Sequence, residues 1–102
     1  MVYFVYVTFP SKKDAYKIAQ EILKKRVAGC VNIFPIESIF WWDDKLASKE
    51  EIVVIFKTIE SNLKKLYREI KKLSPFKIPC VAPLEVSKIN KEYKEWLERE
   101  IR

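Results

Sequence analysis

Two thiols and no imidazole bound the chemistry this chain can do. Cys30 and Cys80 are its only cysteines, and it contains no histidine. They lie too far apart for a metal knuckle, whose ligand pairs stand about two to four residues from each other. A thiolate suits a soft ion such as copper(I), although a free cysteine more commonly serves as a small buried hydrophobe. The carboxylates Asp43, Asp44, Glu50 and Glu51 offer a hard cation only unspecific binding. Without histidine there is no Ser/His/Asp or Cys/His arrangement. A single glycine leaves no phosphate-cradling loop, and no acid pair has glycosidase spacing. The chain reads as a non-enzyme.

These residues sit in 102, enough for one domain (1–102) and one core. Hydrophobic residues make up 49% and charged ones 33%, far from the composition of disordered chains. No apolar run reaches the roughly 18 residues of a membrane span. The start, "MVYFVYVTFP", lacks the features of a secretory leader, so the expected location is the cytoplasm, where a disulfide is not expected. Twenty Lys and Arg against fourteen Asp and Glu give a net charge of +6, scattered and interleaved with acids. That is a solubility feature before it is a nucleic-acid patch.

The elements follow from periodicity. Residues 2–9 form a continuous β-branched and aromatic run, a buried strand ended by Pro10. Ser11 and Asp14 resemble a capping box ahead of a helix whose apolar face is Ala15, Ile18, Ala19, Ile22 and Leu23. Gly29 is expected to end this unit. Residues 30–42 read as a strand with Pro35 at an edge or bulge, residues 43–45 as a reversal and 51–58 as the returning strand. A second helix runs from Glu60 to Leu73 on Leu63, Leu66, Tyr67, Ile70 and Leu73. Residues 80–86 form a strand whose Pro83 again demands an edge or bulge. Asn90 is expected to cap a last helix bearing Tyr93, Trp96, Leu97 and Ile101.

This order predicts an α+β fold: a ferredoxin-like, split βαβ antiparallel sheet with both main helices on one face, plus a C-terminal helix. The other face would be bare, and it is not polar. Ile36, Ser38, Phe40 and Trp42 share one parity, Glu37, Ile39 and Trp41 the other, and the partner strand is apolar on both sides. Such a patch exceeds what soluble monomers expose. At about 25 cal/mol per Å², hiding about 600 Å² contributes on the order of 15 kcal/mol before association costs. Identical subunits are the expected cover, with Pro35 and Pro83 favouring a closed ring over a fibre.

Five stretches carry a resemblance. "CVNI" (30–33), "SIFWW" (38–42), Glu51 followed by "FKT" (56–58), "SPFKIP" (74–79) and "YKEWL" (93–97) are similar, in order and spacing, to the motifs of the CutA-type divalent-cation tolerance proteins. The resemblance implies a ferredoxin-like subunit in a tight homotrimer with intersubunit strand pairing. It also implies a likeness in shape to the trimeric PII signalling proteins, a role in tolerance of divalent metals such as copper, and no established reaction. No obligatory cofactor is implied. Copper or another divalent cation is the candidate ligand, and Cys30, within a matched motif, the candidate metal ligand. Trp42, Glu51, Lys57, Phe76, Cys80 and Trp96 are candidates to line a cleft between subunits. With one cation and aromatic walls, such a cleft would suit a small anion; the alternative for Lys57 and Glu51 is an ordinary ion pair. The sequence departs from the family pattern at Ser74, Phe76 and Cys80, where His, Tyr and Glu are usual, at Phe40 in place of Tyr, and at Asp44 where Gly is frequent. Among ferredoxin-like alternatives, "FPSKKD" lacks an acylphosphatase glycine loop and "EIVVIFKT" lacks an RNA-recognition signature. The alternative class is a trimeric interaction scaffold for a protein partner or a small ligand, without metal.

Overall fold

The computed structural model describes all 102 residues. The first strand, β1 (Val2–Phe9), leads into the helix α1 (Lys12–Lys24). Ser11 caps it by accepting the Asp14 N–H at 3.2 Å, while its own hydroxyl donates to the Asp14 carboxylate at 2.9 Å. The acid therefore grips the capping hydroxyl, not the backbone amide that a capping-box glutamate would reach.

Gly29 does not terminate α1. The chain turns left-handed at Arg26, with φ 60°. The Arg26 N–H donates to the Leu23 carbonyl at 3.0 Å and the Val27 N–H to Ile22 at 3.3 Å, the paired bonds of a Schellman ending. The Arg26 side chain donates to Glu100 at 2.8 Å across an exposed pair. Gly29 answers a different need. A Cβ at this position would lie 2.7 Å from Leu97 Cδ1, so the missing side chain lets the last helix close on the sheet.

β2 (Cys30–Trp42) and β3 (Lys45–Ile59) form one long hairpin with unbroken register from Cys30 opposite Lys57 to Trp42 opposite Lys45. Its two-residue turn is Asp43–Asp44 at φ 53° and 60°, the left-handed pair of a type I′ turn. β3 begins at Lys45 and not at the expected 51. "LASKE" carries no alternation of its own but is held by β2 rung by rung, a tertiary effect invisible to local pattern.

After a single 3₁₀ turn (Glu60–Asn62), α2 runs over Leu63–Leu73, followed by β4 (Val81–Val86) and α3 (Lys91–Glu100). Asn90 stands at the start of α3 without capping it; its side-chain amide donates to Glu92 at 3.3 Å instead. The sheet order is β2-β3-β1-β4, antiparallel throughout. Both prolines fall on edge strands in regular register, Pro35 opposite Ile52 and Pro83 opposite Val5. An edge strand has one side without ladder partners, so neither missing donor forces a bulge.

One face carries the main core. Val5, Val7, Phe9, Val54 and Phe56 pack against Ala15, Ile18, Ile22, Leu66 and Ile70 from α1 and α2. The opposite face is not wholly bare, as the sequence led one to expect. Leu97 and Ile101 of the α3 region pack on Val2, with Phe4, Ile59 and Val86 around them. This leaves the hairpin uncovered. β1 pairs with β3 only as far as Phe9 opposite Ile52, so seven rungs, Ile36–Glu51 to Trp42–Lys45, project beyond the sheet. The arm stretches the molecule to 46 Å in its longest dimension.

The Gly29 contact makes a prediction. Leu97 is fully buried, so its side-chain end can give way only by displacing its neighbours. Gly29→Ala should destabilise the fold by about 1–3 kcal/mol through overpacking, and Gly29→Val by more, read as a lowered thermal midpoint.

Candidate functional site

The register brings two of the sequence candidates, Cys30 and Lys57, to one place on the α3 side of the sheet. Lys57 pairs with Cys30 on β2 and with Phe4 on β1, so all three side chains project from the same face. α3 lays Tyr93 over Lys57, with Trp96 beside Tyr93. The two rings are spaced by one helical turn and pack with centroids 5.5 Å apart. The Lys57 ammonium donates to the Tyr93 hydroxyl at 3.4 Å and stands 5.2 Å from the centre of that ring and 5.1 Å from the centre of Phe4. Tyr93 is pushed up to about 12, first by burial and then by the neighbouring Cys30 thiol. Its hydroxyl therefore keeps its proton across the physiological range.

The expected alternative for Lys57, an ion pair with Glu51, does not form. The two lie six positions apart on one strand, about 20 Å along it. The three ion pairs of the chain are Lys25–Glu69, Arg26–Glu100 and Lys91–Glu95. Lys57 has no carboxylate.

The remaining candidates are dispersed within the subunit. Glu51 lies at the root of the arm, beside an open groove of about 550 Å³ lined by Pro10, Ser11, Lys12, Glu37 and Glu50. Glu37 and Glu50 face each other across the hairpin, a like-charge pair that weakens the arm where it leaves the sheet. Asp43 and Asp44 are at the far tip, so the four turn and strand carboxylates do not converge. No group of three or more Cys, Asp or Glu side chains could hold a metal ion within one chain. Trp42 lies next to that tip. Phe76 leans on the arm through Lys49, whose ammonium is 5.2 Å from its ring centre. Cys80 is exposed just before β4, and Cys30 is half-buried at the start of β2. β2 and β4 are opposite edges of the sheet, so the two thiols cannot join within a subunit.

Tyr93 and Phe4 belong to the site although the sequence reading assigns them only to an apolar helix face and a buried strand. Their signal was present in part: Tyr93 and Trp96 stand at i, i+3, and Phe4 takes the parity opposite Val5 and Val7. Only the β1–β3 register reveals that Phe4 meets Lys57.

The arm exposes several large apolar side chains. Trp41 and Leu46, paired across it, are 71% and 66% exposed; Ile39, on the same face, is 76% exposed, and Trp42, on the other, 68%.

The fold of this subunit is the one found in solved structures of CutA proteins. Residues 3–100 match the family described as CutA1 divalent ion tolerance protein. The divalent-cation tolerance protein CutA of Thermotoga maritima is 38% identical over 97 residues, spanning 95% of this chain and 96% of that one. The CutA of Archaeoglobus fulgidus is 35% identical over 98 residues and 96% of each chain. A solved structure of an Archaeoglobus fulgidus protein, described as a periplasmic divalent cation tolerance protein CutA, superposes with a TM-score of 0.97 at 34% identity and full coverage of both chains. The chain belongs to the CutA1 divalent ion tolerance family, and the resemblance read from its five motifs is borne out.

High pH tests the Tyr93 environment. The folded value of about 12 lies above the ordinary 10.0, so the folded state holds this proton more tightly than the unfolded state. Stability from this group is complete below pH 10 and is lost as pH rises from about 10 to 12. Tyr93→Phe should flatten the loss of stability in that window, measured by urea unfolding at stepped pH. An unchanged slope would place the hydroxyl in ordinary solvent.

Proposed function

We propose that this chain acts in tolerance of divalent cations as a cytoplasmic homotrimer, working as a metal-responsive signalling module. The observation that supports the assembly is the uncovered hairpin arm. Ile39, Trp41 and Leu46 on one face and Trp42 on the other make both sides of a two-stranded ribbon apolar, and neither helices nor further strands protect it. Two-stranded ribbons are marginal in water, and residues of this kind gain several kcal/mol in total when buried. The two edge strands, each carrying one proline, favour a ring that closes on itself over an open filament.

Metal enters this reading through the assembly. One subunit offers a half-buried Cys30 and scattered carboxylates. A soft-ion site would have to draw thiolates from more than one copy, with copper(I) the ion best matched to them. Responding to a metal-dependent partner or signal demands no such convergence, which is why the signalling role is placed ahead of storage of metal. The family description names tolerance and no reaction.

Light scattering after size exclusion at micromolar protein should give three times the 12.2 kDa of the chain. Trp41→Lys combined with Leu46→Lys should shift it toward the monomer with the helical signal retained, because both side chains are exposed in the single subunit. A wild-type monomer under these conditions would remove the proposal.

Copper(I) titration of the reduced protein beside Cys30→Ser addresses the ligand. Loss of at least about tenfold in affinity is expected if Cys30 binds the ion. Equal affinities would exclude it.

A further inference from the structure

The net charge of +6 is not spread evenly over the molecule. Residues 12–26 and 63–73, the two helices on the core face of the sheet with the turn after the first, hold eleven of the twenty basic residues and three of the fourteen acidic ones. This layer therefore carries +8 and the rest of the chain −2. The fold separates what the sequence interleaves. All eleven cations are exposed, whereas Asp14, Glu21 and Glu69 are only partly so. The acids are also engaged. Asp14 accepts from the Ser11 hydroxyl at 2.9 Å and Glu69 from the Lys25 ammonium at 2.8 Å, and Glu21 stands near the same lysine.

The free cations line up. Lys13, Lys17 and Lys24 recur at i, i+4 and i+11, on the side of α1 opposite Ala15, Ile18, Ala19 and Ile22; Lys65, Arg68 and Lys72 recur at i, i+3 and i+7, opposite Leu66 and Ile70 of α2. The Lys25–Glu69 pair ties the two helices side by side, so the two rows form one crest. Around Glu69 the cations outnumber the acid. The hydrogen bond from Lys25 comes first among the causes that hold its carboxyl below the usual range, and the charges of Lys25, Lys72 and Lys65 follow. Helix stability does not call for this pattern. Lys64 and Lys65 stand in the first turn of α2, where the helix dipole favours acids, and no acid is there.

We infer that the outer face of α1 and α2 is a binding surface for the phosphate backbone of double-stranded nucleic acid, held without regard to base sequence. An open row of cations matches a row of phosphates by charge and carries no means of reading bases. A single strand would call for rings along the crest on which bases could stack. The exposed rings of these helices stand off it, Tyr16 beside the Lys12 ammonium and Tyr67 in the groove between α2 and β4 with Leu63, Val81 and Pro83. A bilayer would call for an apolar edge to insert. Those two tyrosines are the only large apolar side chains that either helix exposes. The surfaces that identical subunits are proposed to cover are the arm and the opposite side of the sheet, and faces of like charge repel, so assembly leaves this layer in solvent. A trimer presents it three times.

Fluorescence anisotropy of a labelled DNA duplex of about 20 base pairs tests the inference on the intact protein. Binding should saturate at about 50 mM salt and weaken by about a hundredfold at about 200 mM, as about four phosphate contacts would require. Lys65→Gln, Arg68→Gln and Lys72→Gln together should cost about tenfold or more at the lower salt and flatten the salt dependence, and Lys13→Gln, Lys17→Gln and Lys24→Gln should act in the same direction. The control removes equal charge elsewhere. Lys77→Gln, Lys88→Gln and Lys94→Gln, all exposed and outside the three ion pairs, should leave affinity within about threefold. Circular dichroism and light scattering on each variant check that fold and assembly are those of the parent. Equal losses in the helix variants and the control would assign the binding to net charge alone and overturn the inference. So would no saturation at about 50 mM salt, tighter binding of a single strand of the same length, or binding at least as tight to vesicles of phosphatidylcholine and phosphatidylserine in equal parts.

Discussion

The β2–β3 register is the constraint on which both ends of this molecule depend. It is set by two aspartates in left-handed conformation, a turn that matches the twist of the strands it joins. Thirteen rungs follow from it. At the open end the register places Cys30 against Lys57, and at the turn it places Trp41 against Leu46. A slip of one residue would send each side chain to the opposite face, taking the lysine away from α3 and exchanging the two apolar surfaces of the arm. The β1–β3 pairing, which sets Phe4 beside the same lysine, fixes the root of the hairpin in the sheet.

The second dependence is the closeness of α3 to that root. Gly29 admits the helix through the absence of a side chain. The chain beyond α3 is then tied down by backbone: the Arg102 N–H donates to Arg26 at 2.8 Å, and Asn62 donates to the Arg102 and Val27 carbonyls at 3.3 and 3.2 Å. Thr58, the one buried polar side chain, donates to the Val27 carbonyl at 2.7 Å, so no buried side-chain polar atom is left without a partner. These bonds fix the height of Tyr93 over the sheet. The spacing between ring and ammonium is therefore a property of the frame and does not rely on the lysine finding it.

Much of the fold was legible because periodicity and punctuation agreed. The strand over residues 2–9, the helical faces of α1 and α2, and the edge positions of Pro35 and Pro83 all follow from side-chain type and spacing. What escaped was tertiary. "LASKE" has no strand pattern of its own and is extended because β2 holds it. Arg26, not Gly29, takes the left-handed position, where a full Schellman pair forms. The site was half legible. Cys30, Lys57 and Trp96 were named from matched motifs, whereas Phe4 required knowledge of which strand lies beside β3. Glu51 and Lys57 do not pair within one subunit, because proximity in sequence along a strand is distance in space.

The Glu37–Glu50 pair is the second rung beyond the last one that β1 supports. Beyond it the ribbon has no third strand to share its hydrogen bonds, so it is the part of the sheet that frays first, on a much faster clock than the body beneath. In the trimer proposed above, chains would meet with loose fingers and stiffen together, and how often two repelling carboxylates let the finger bend would set the pace of exchange.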